Sequence, residues 1–136
     1  MSKILVIDDD ELVLDMLLRW LSKAGYDVAG ACDGEQGLRL LESEFFDLIV
    51  TDIVMPEKEG LETIPAIRRK NKALPIIAIS GGGSYGQKLY LNMALKLGAD
   101  YIFQKPFDRD PFLKAVQACL SGMKPGAGKQ EPDPDL

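Results

Sequence analysis

Acidic residues stand where apolar runs stop. Ile4-Leu5-Val6-Ile7 leads into Asp8-Asp9-Asp10, and Leu48-Ile49-Val50-Thr51 leads into Asp52. A further run, Tyr101-Ile102-Phe103-Gln104, ends instead at Lys105-Pro106. Short apolar runs of this kind read as buried strands, and open α/β sheets build their sites at the carboxyl ends of strands. If these strands lie side by side, three or more carboxylates and one ammonium share a single small patch. Like charges about 4 Å apart repel by roughly 4 kcal/mol at an effective dielectric near 20. Such a cluster suits a hard divalent cation with oxygen ligands.

The elements that must position these groups alternate between strand and helix. After the strand at 3–8, Val13, Met16, Leu17, Trp20, Leu21 and Ala24 recur at helical spacing, and Gly25 closes the run as a C′ residue. A weaker strand at 27–32 turns at Asp33-Gly34 into a short helix carrying Leu38 and Leu41. The strand at 47–52 is followed by a loop and a helix with Leu61, Ile64 and Ile67. Pro65 within that helix predicts a kink or a late start, because it removes a donor and crowds the preceding turn. Pro75 opens the strand Ile76 to Ser80, and Leu89, Met93 and Leu97 lie four apart before Gly98. After the strand at 100–104, Asp110-Pro111 reads as an N-cap with proline at the first helical position. Five βα units with apolar strands imply a parallel sheet covered on both faces, and right-handed crossovers make this a doubly wound, three-layer α/β fold.

The chain has 136 residues, 46% of them hydrophobic, which sets an expectation of one domain with a proper core. That domain spans 1–122, and 123–136, rich in Pro, Gly and charge, reads as a disordered tail or a linker stub. The net charge of −5, with no basic stretch to offset it, argues against direct contact with nucleic acid. Cys32 and Cys119 sit in apolar contexts without metal-ligand spacing and read as buried free thiols, which fits a reducing cytoplasm. Neither a secretory signal nor a run long enough to span a bilayer is read. With no histidine, the chain cannot donate a phosphoryl group from an imidazole or bind metal through one.

The strings ILVIDDDE, LIVTDIVMPEKEG, IIAIS and YIFQKPF, in this order, resemble the receiver domain of two-component response regulators, the CheY-like proteins. The likeness runs from residue 3 to about 121, nearly the whole chain. It implies a flavodoxin-like sheet of strand order 2-1-3-4-5 with five helices. It also implies a cytoplasmic signalling switch rather than an enzyme with a separate substrate. On this resemblance Asp52 accepts a phosphoryl group from a histidine kinase or phosphotransfer protein. Asp9 is then the direct Mg2+ ligand, with Asp8 acting through water, Asp52 beside them and the Val54 backbone carbonyl completing the set. Ser80 meets a phosphoryl oxygen, and Lys105, aimed inward by a cis Lys-Pro bond, pairs with the acceptor carboxylate or its phosphate. Asp10 caps the first helix. A downstream protein would bind the surface of the last two helices and strand, where Tyr90, Leu91 and Leu95 either offer contacts or face the core. No DNA-binding module is read within these residues, and homodimerisation stays open.

Two departures stand out. Ile102 occupies the position three before the lysine that usually carries Tyr or Phe, so aromatic rotation would need Phe103 or Tyr90 instead. The loop Gly81-Gly82-Gly83-Ser84-Tyr85-Gly86 is longer than usual and is expected to be mobile, tightening on phosphorylation. Neither Val54 nor Gly82 can orient an attacking water, which favours a long-lived acyl phosphate. Three rivals are weaker. A haloacid-dehalogenase-like phosphohydrolase lacks an acid at Val54 and a cap domain. A phosphate loop read from GGGSYGQK has Gln87 where its lysine belongs. A docking scaffold without phosphorylation has no need of the full acidic, hydroxyl and lysine set.

Overall fold

Strand and helix alternate five times: β1 (Lys3–Ile7), α1 (Glu11–Lys23), β2 (Asp27–Ala31), α2 (Gly34–Ser43), β3 (Leu48–Asp52), α3 (Glu59–Lys70), β4 (Ile76–Ser80), α4 (Gln87–Leu97), β5 (Tyr101–Gln104) and α5 (Arg109–Leu120). This computed structural model describes residues 2–53, 59–81 and 87–122, and for 59–61 and 87–91 only the backbone. The five strands form one parallel sheet in the order β2-β1-β3-β4-β5, the expected doubly wound arrangement. Among the described residues, no helix is long and apolar enough to cross a membrane.

The two-residue period of the strands sorts their side chains into two cores. Leu5, Ile7, Ile49, Ile76, Ala78 and Ile102 face one way, where Ile64 and Ile67 of α3 and Ala94 of α4 cover them. Ile4, Val6, Leu48, Val50, Ile77, Ile79 and Phe103 face the other way, under Leu17 and Leu21 of α1 and Phe112 and Val116 of α5. β3 and β4 are buried along their whole length, as a continuous apolar run requires of a central parallel strand. Each fully buried Leu or Ile contributes about 1.5–3 kcal/mol of transfer free energy, so these two layers hold the sheet between its helices.

Several helix ends follow the sequence and some do not. Asp10 caps α1, its carboxylate accepting the Leu12 N–H at 3.0 Å, and Asp33 caps α2 through the Gln36 N–H at 2.8 Å. Gly25 and Gly98 take positive φ just past α1 and α4. α3 begins by Glu59, well before Pro65, so the proline does not delay the helix. Asp110 is not the N-cap of α5; Asp108 holds that place without a side-chain bond, and Pro111 falls in the first turn. Proline is still accommodated there, because first-turn N–H groups have no intrahelical acceptor.

Among the described side chains of α4, Ala94 is buried against the sheet, while Met93 and Leu97 are exposed. A small residue there lets the helix approach the sheet closely. Leu95 is partly buried against the core, and the side chains of Tyr90 and Leu91 lie outside the described residues. Cys119 is buried as expected, but Cys32 is exposed. Cys32 sits one residue past the end of the edge strand β2, where the sheet no longer covers it.

Candidate functional site

The register brings four strand ends to one edge of the sheet. Ile7 pairs with Thr51, so Asp8 follows beside Asp52; Asp52 lies opposite Ile79, and Ser80 lies opposite Gln104. The site therefore crosses β1, β3, β4 and β5 along a line that advances by one residue at a time. Lys105 follows Gln104, and its backbone N–H donates to the Ser80 carbonyl at 2.7 Å. The Lys105–Pro106 peptide is cis.

Asp8, Asp9 and Asp52 each offer a carboxylate oxygen, and these oxygens lie within 4.8 Å of one another. Asp8 and Asp52 are 1% and 3% exposed, whereas Asp9 faces solvent. Lys105 Nζ donates to Asp52 Oδ2 at 2.9 Å and stands 3.0 Å from Asp8 Oδ2. The second oxygen of Asp8 accepts the Asp10 N–H at 2.9 Å. Ser80 is fully buried at the end of β4. Burial alone pulls the Lys105 ammonium pKa down, but the hydrogen bond and charge of Asp52, and then those of Asp8, outweigh it. The net effect holds the pKa above the ordinary lysine value, so the side chain stays charged at neutral pH.

This donor set fits a hard cation. Among the described residues, three carboxylates and the Lys105 ammonium meet in a partly buried corner, an excess of negative charge within that set. At about 5 Å and an effective dielectric near 20, each carboxylate pair repels by roughly 3 kcal/mol. The donors are oxygens throughout, with no thiolate or imidazole among them, which suits Mg2+ better than a softer metal.

Five of the residues singled out in the sequence thus meet at one place: Asp8, Asp9, Asp52, Ser80 and Lys105. Asp10 stays out of the cluster and caps α1. Val54 and the glycine-rich stretch at 82–86 lie outside the described residues. Phe103 faces the α1 and α5 side of the sheet, opposite to Ile102, and so does not occupy the place an aromatic at 102 would fill. One position was overlooked. A β-carbon at Gly81 would fall 2.6 Å from Lys105 Cδ, so the lysine stem crosses the bare backbone of residue 81. The only signal in the sequence was a Gly directly after the strand-ending Ser80.

The sequence matches the family described as the response regulator receiver domain over residues 4–117. It is 36% identical over 119 residues to the alkaline phosphatase synthesis transcriptional regulatory protein PhoP of Bacillus subtilis, an alignment covering 88% of this chain and 48% of that protein. The chain spans about half the length of the curated relatives it matches. The CheY-like receiver domain protein from Methanospirillum hungatei superposes with a TM-score of 0.80 at 29% identity, covering 90% of this chain and 96% of the other. The response regulator TrrA of Thermotoga maritima, solved in complex with Mg(2+)-BeF, gives 0.75 at 32% identity, covering 88% and 100%. With strand order, acidic edge and lysine all in agreement with that match, the chain belongs to the response regulator receiver domains, the phosphorylation-based signalling modules of two-component systems.

Proposed function

We propose that Asp52 accepts a phosphoryl group from a histidine kinase or phosphotransfer protein, and that the acyl phosphate changes the surface offered to a downstream protein. The observation that carries this reading is the placement of Lys105 Nζ, 2.9 Å from Asp52 and 3.0 Å from Asp8, beside a third carboxylate. A carboxylate is a weak nucleophile toward a dianionic phosphoryl group, so the obstacle is charge and alignment rather than bond-making.

In the transfer, an Asp52 oxygen forms the new bond to phosphorus while the donor imidazole's P–N bond breaks and that nitrogen leaves with the electron pair. Lys105 holds a fixed positive charge against the oxygens that gain negative charge, in a site that needs little reorganisation. Ser80, buried one strand over, offers its hydroxyl to a phosphoryl oxygen. Asp8, Asp9 and Asp52, with the Val54 carbonyl, are the residues to hold Mg2+, which when bound neutralises phosphoryl oxygen charge. The Mg(2+)-BeF complex of TrrA supports a divalent cation in a receiver of this fold.

On this reading the protein is a switch rather than an enzyme with a separate substrate, it acts in the cytoplasm, and its receiver domain covers 1–122. The output face is α4, β5 and α5, where Met93 and Leu97 are exposed apolar residues. Direct nucleic-acid contact is not part of this reading, and the oligomeric state is left to measurement. The test is phosphorylation by a small acyl-phosphate donor, with and without Mg2+, read as an added phosphate by intact mass. Wild type should gain one phosphate only with Mg2+, and Asp52→Asn should gain none. A wild type that stays unmodified, or an Asp52→Asn that is still labelled, overturns the assignment.

A further inference from the structure

We infer that Phe107 is a relay between the acidic edge and the α1–α5 surface, so that phosphorylation of Asp52 alters that surface as well as the α4 side. The inference rests on the proposed function only for the phosphorylated state. Residue 105 is attached to the site twice. Its Nζ stands 2.9 Å from Asp52 and 3.0 Å from Asp8, and its N–H donates to the Ser80 carbonyl at 2.7 Å. A phosphoryl group that draws in the Ser80 hydroxyl and the lysine ammonium therefore pulls on one joined unit.

Phe107 comes two residues later, within about 7 Å of Lys105 along the chain. Pro106 between them holds φ at about −65°, so few soft dihedrals are left to absorb a displacement. The Phe107 ring lies where three elements meet. It is 5.4 Å from the Phe103 ring of β5, 5.5 Å from Phe112 of α5 and 6.1 Å from Trp20 of α1. Phe103 and Phe112 are buried, and close-packed rings repack in steps rather than slide by degrees.

Beyond the rings, Trp20 lines a surface hollow of about 580 Å3 together with Asp108, Arg109, Asp110 and Pro111. Those four residues directly follow Phe107 in the chain. A displaced Phe107 therefore moves both walls of the hollow, one through ring contact with Trp20 and the other through the backbone. On the α4 side of β5 the corresponding residue is Ile102, aliphatic and 2% exposed, which has no ring to pass a displacement on. The relay thus adds α1 and the start of α5 to the surface that phosphorylation alters.

Trp20 is the single tryptophan of the chain, so its quenching by acrylamide reports on this junction alone. The experiment phosphorylates the full chain with a small acyl-phosphate donor and Mg2+, measures occupancy by intact mass, and compares wild type with Phe107→Leu and Phe112→Leu. Phosphorylation of wild type should change the Trp20 quenching constant by about 1.5-fold or more, because the ring cluster repacks in a step. In Phe107→Leu, phosphorylated to equal occupancy at a rate within about twofold of wild type, that change should fall to less than about a third. Phe112→Leu disturbs Trp20 as closely, from 6.0 Å, but leaves the 105–107 connection whole. It should keep more than about half of the response. A wild type whose Trp20 does not respond at full occupancy, or an equal loss of response in both variants, overturns the inference. If Phe107→Leu shows no cooperative thermal transition, Phe107→Met takes its place and the same outcomes decide.

A second arm needs no phosphate. Lys105→Ala cuts the side-chain attachment, and it should shift Trp20 quenching in the wild-type background but less than about a third as much beside Phe107→Leu. A wild type that takes no phosphate sinks the functional reading and leaves the relay to be decided by this arm. In either case, a Trp20 that is unchanged in Lys105→Ala overturns the relay.

Discussion

Ile102 and Phe103 are neighbours in β5 but belong to opposite cores. Ile102 packs with Ala78 and Ala94 under α4, whereas Phe103 joins Phe107 and Phe112 on the α1 and α5 side. Trp20 of α1 completes that aromatic group, 6.1 Å from the Phe107 ring and 6.0 Å from Phe112. Phe103 therefore cannot substitute for an aromatic at 102, since a strand cannot turn one residue over without turning all of them. Truncation should distinguish the two sites. Ile102→Ala and Phe103→Ala should each lose about 2–5 kcal/mol of stability in denaturant melts. Only Phe103→Ala should also change the native emission of Trp20, because only it opens the ring cluster. Equal fluorescence changes in both variants would contradict the two-core arrangement.

Lys105 is the cation between two buried carboxylates, so removing it should expose their repulsion. Lys105→Met leaves Asp8 and Asp52, both under 5% exposed, without their shared partner. Breaking a buried pair from one side costs about 3–5 kcal/mol. We expect a large loss of stability at neutral pH. Adding Asp52→Asn should recover much of it, because one of the two repelling charges is then gone. Mg2+ at 100 times its dissociation constant should restore about 2.7 kcal/mol to Lys105→Met by mass action. A Lys105→Met protein as stable as wild type without metal would mean that these carboxylates do not feel one another.

How much of this was legible follows from which signals are local. The strands, the acidic edge and the α1 and α2 caps were readable because apolar runs, Asp at a helix start and Gly at a helix end each act within a few residues. The start of α5 was misplaced because Asp108 and Asp110 present the same local signal, and the observed start makes no side-chain cap bond that would favour either. Cys32 was misread because its exposure depends on lying just beyond an edge strand, which sequence order does not disclose. The same holds for Gly81: the groups that meet there are Gly81 and Lys105, and only sheet register brings them together.

Arg68 ties three elements at the opposite edge of the sheet. Its guanidinium donates to the Leu74 carbonyl, to the Gly98 carbonyl at 2.7 Å and to Asp100 Oδ2 at 3.2 Å. Asp100 in turn accepts the Ile76 N–H at 2.9 Å, so the end of α3, the start of β4 and the α4–β5 turn share one knot. Gly98 has φ of +123°, and a β-carbon there would meet Arg68 Nε at 2.9 Å. Gly98→Ala should cost about 1–3 kcal/mol from the strained backbone, with the clash adding to it. Arg68→Met should cost a similar amount, since hydrogen bonds to charged groups contribute about 1.5–3 kcal/mol each. Combined, the two should cost less than their sum, because Met removes the guanidinium that Ala would hit. Simple additivity in chemical denaturation would show that Gly98 is constrained by its φ alone.

The two thiols should behave as different chemical species. Cys32 is exposed and Cys119 buried, so a thiol reagent at pH 8 should attach once, at Cys32, until the protein is unfolded. Burial, and after it the charge of Asp100, pushes the Cys119 thiol up from 9.0 to about 12. The folded state thus binds a proton that the unfolded state releases at lower pH. Stability from this group is complete below pH 9 and falls as pH rises toward 12, by at most about 1.4 kcal/mol per pH unit. Lys105 and Tyr101 are also raised, so the wild-type curve sums several losses over the alkaline range. The contribution of Cys119 is isolated by the difference between wild type and Cys119→Ala. That difference should be flat below pH 9 and then shrink as wild type alone loses the stability tied to its thiol proton. A difference that stays constant to pH 12 would mean that the thiolate is as well solvated in the fold as in the unfolded chain.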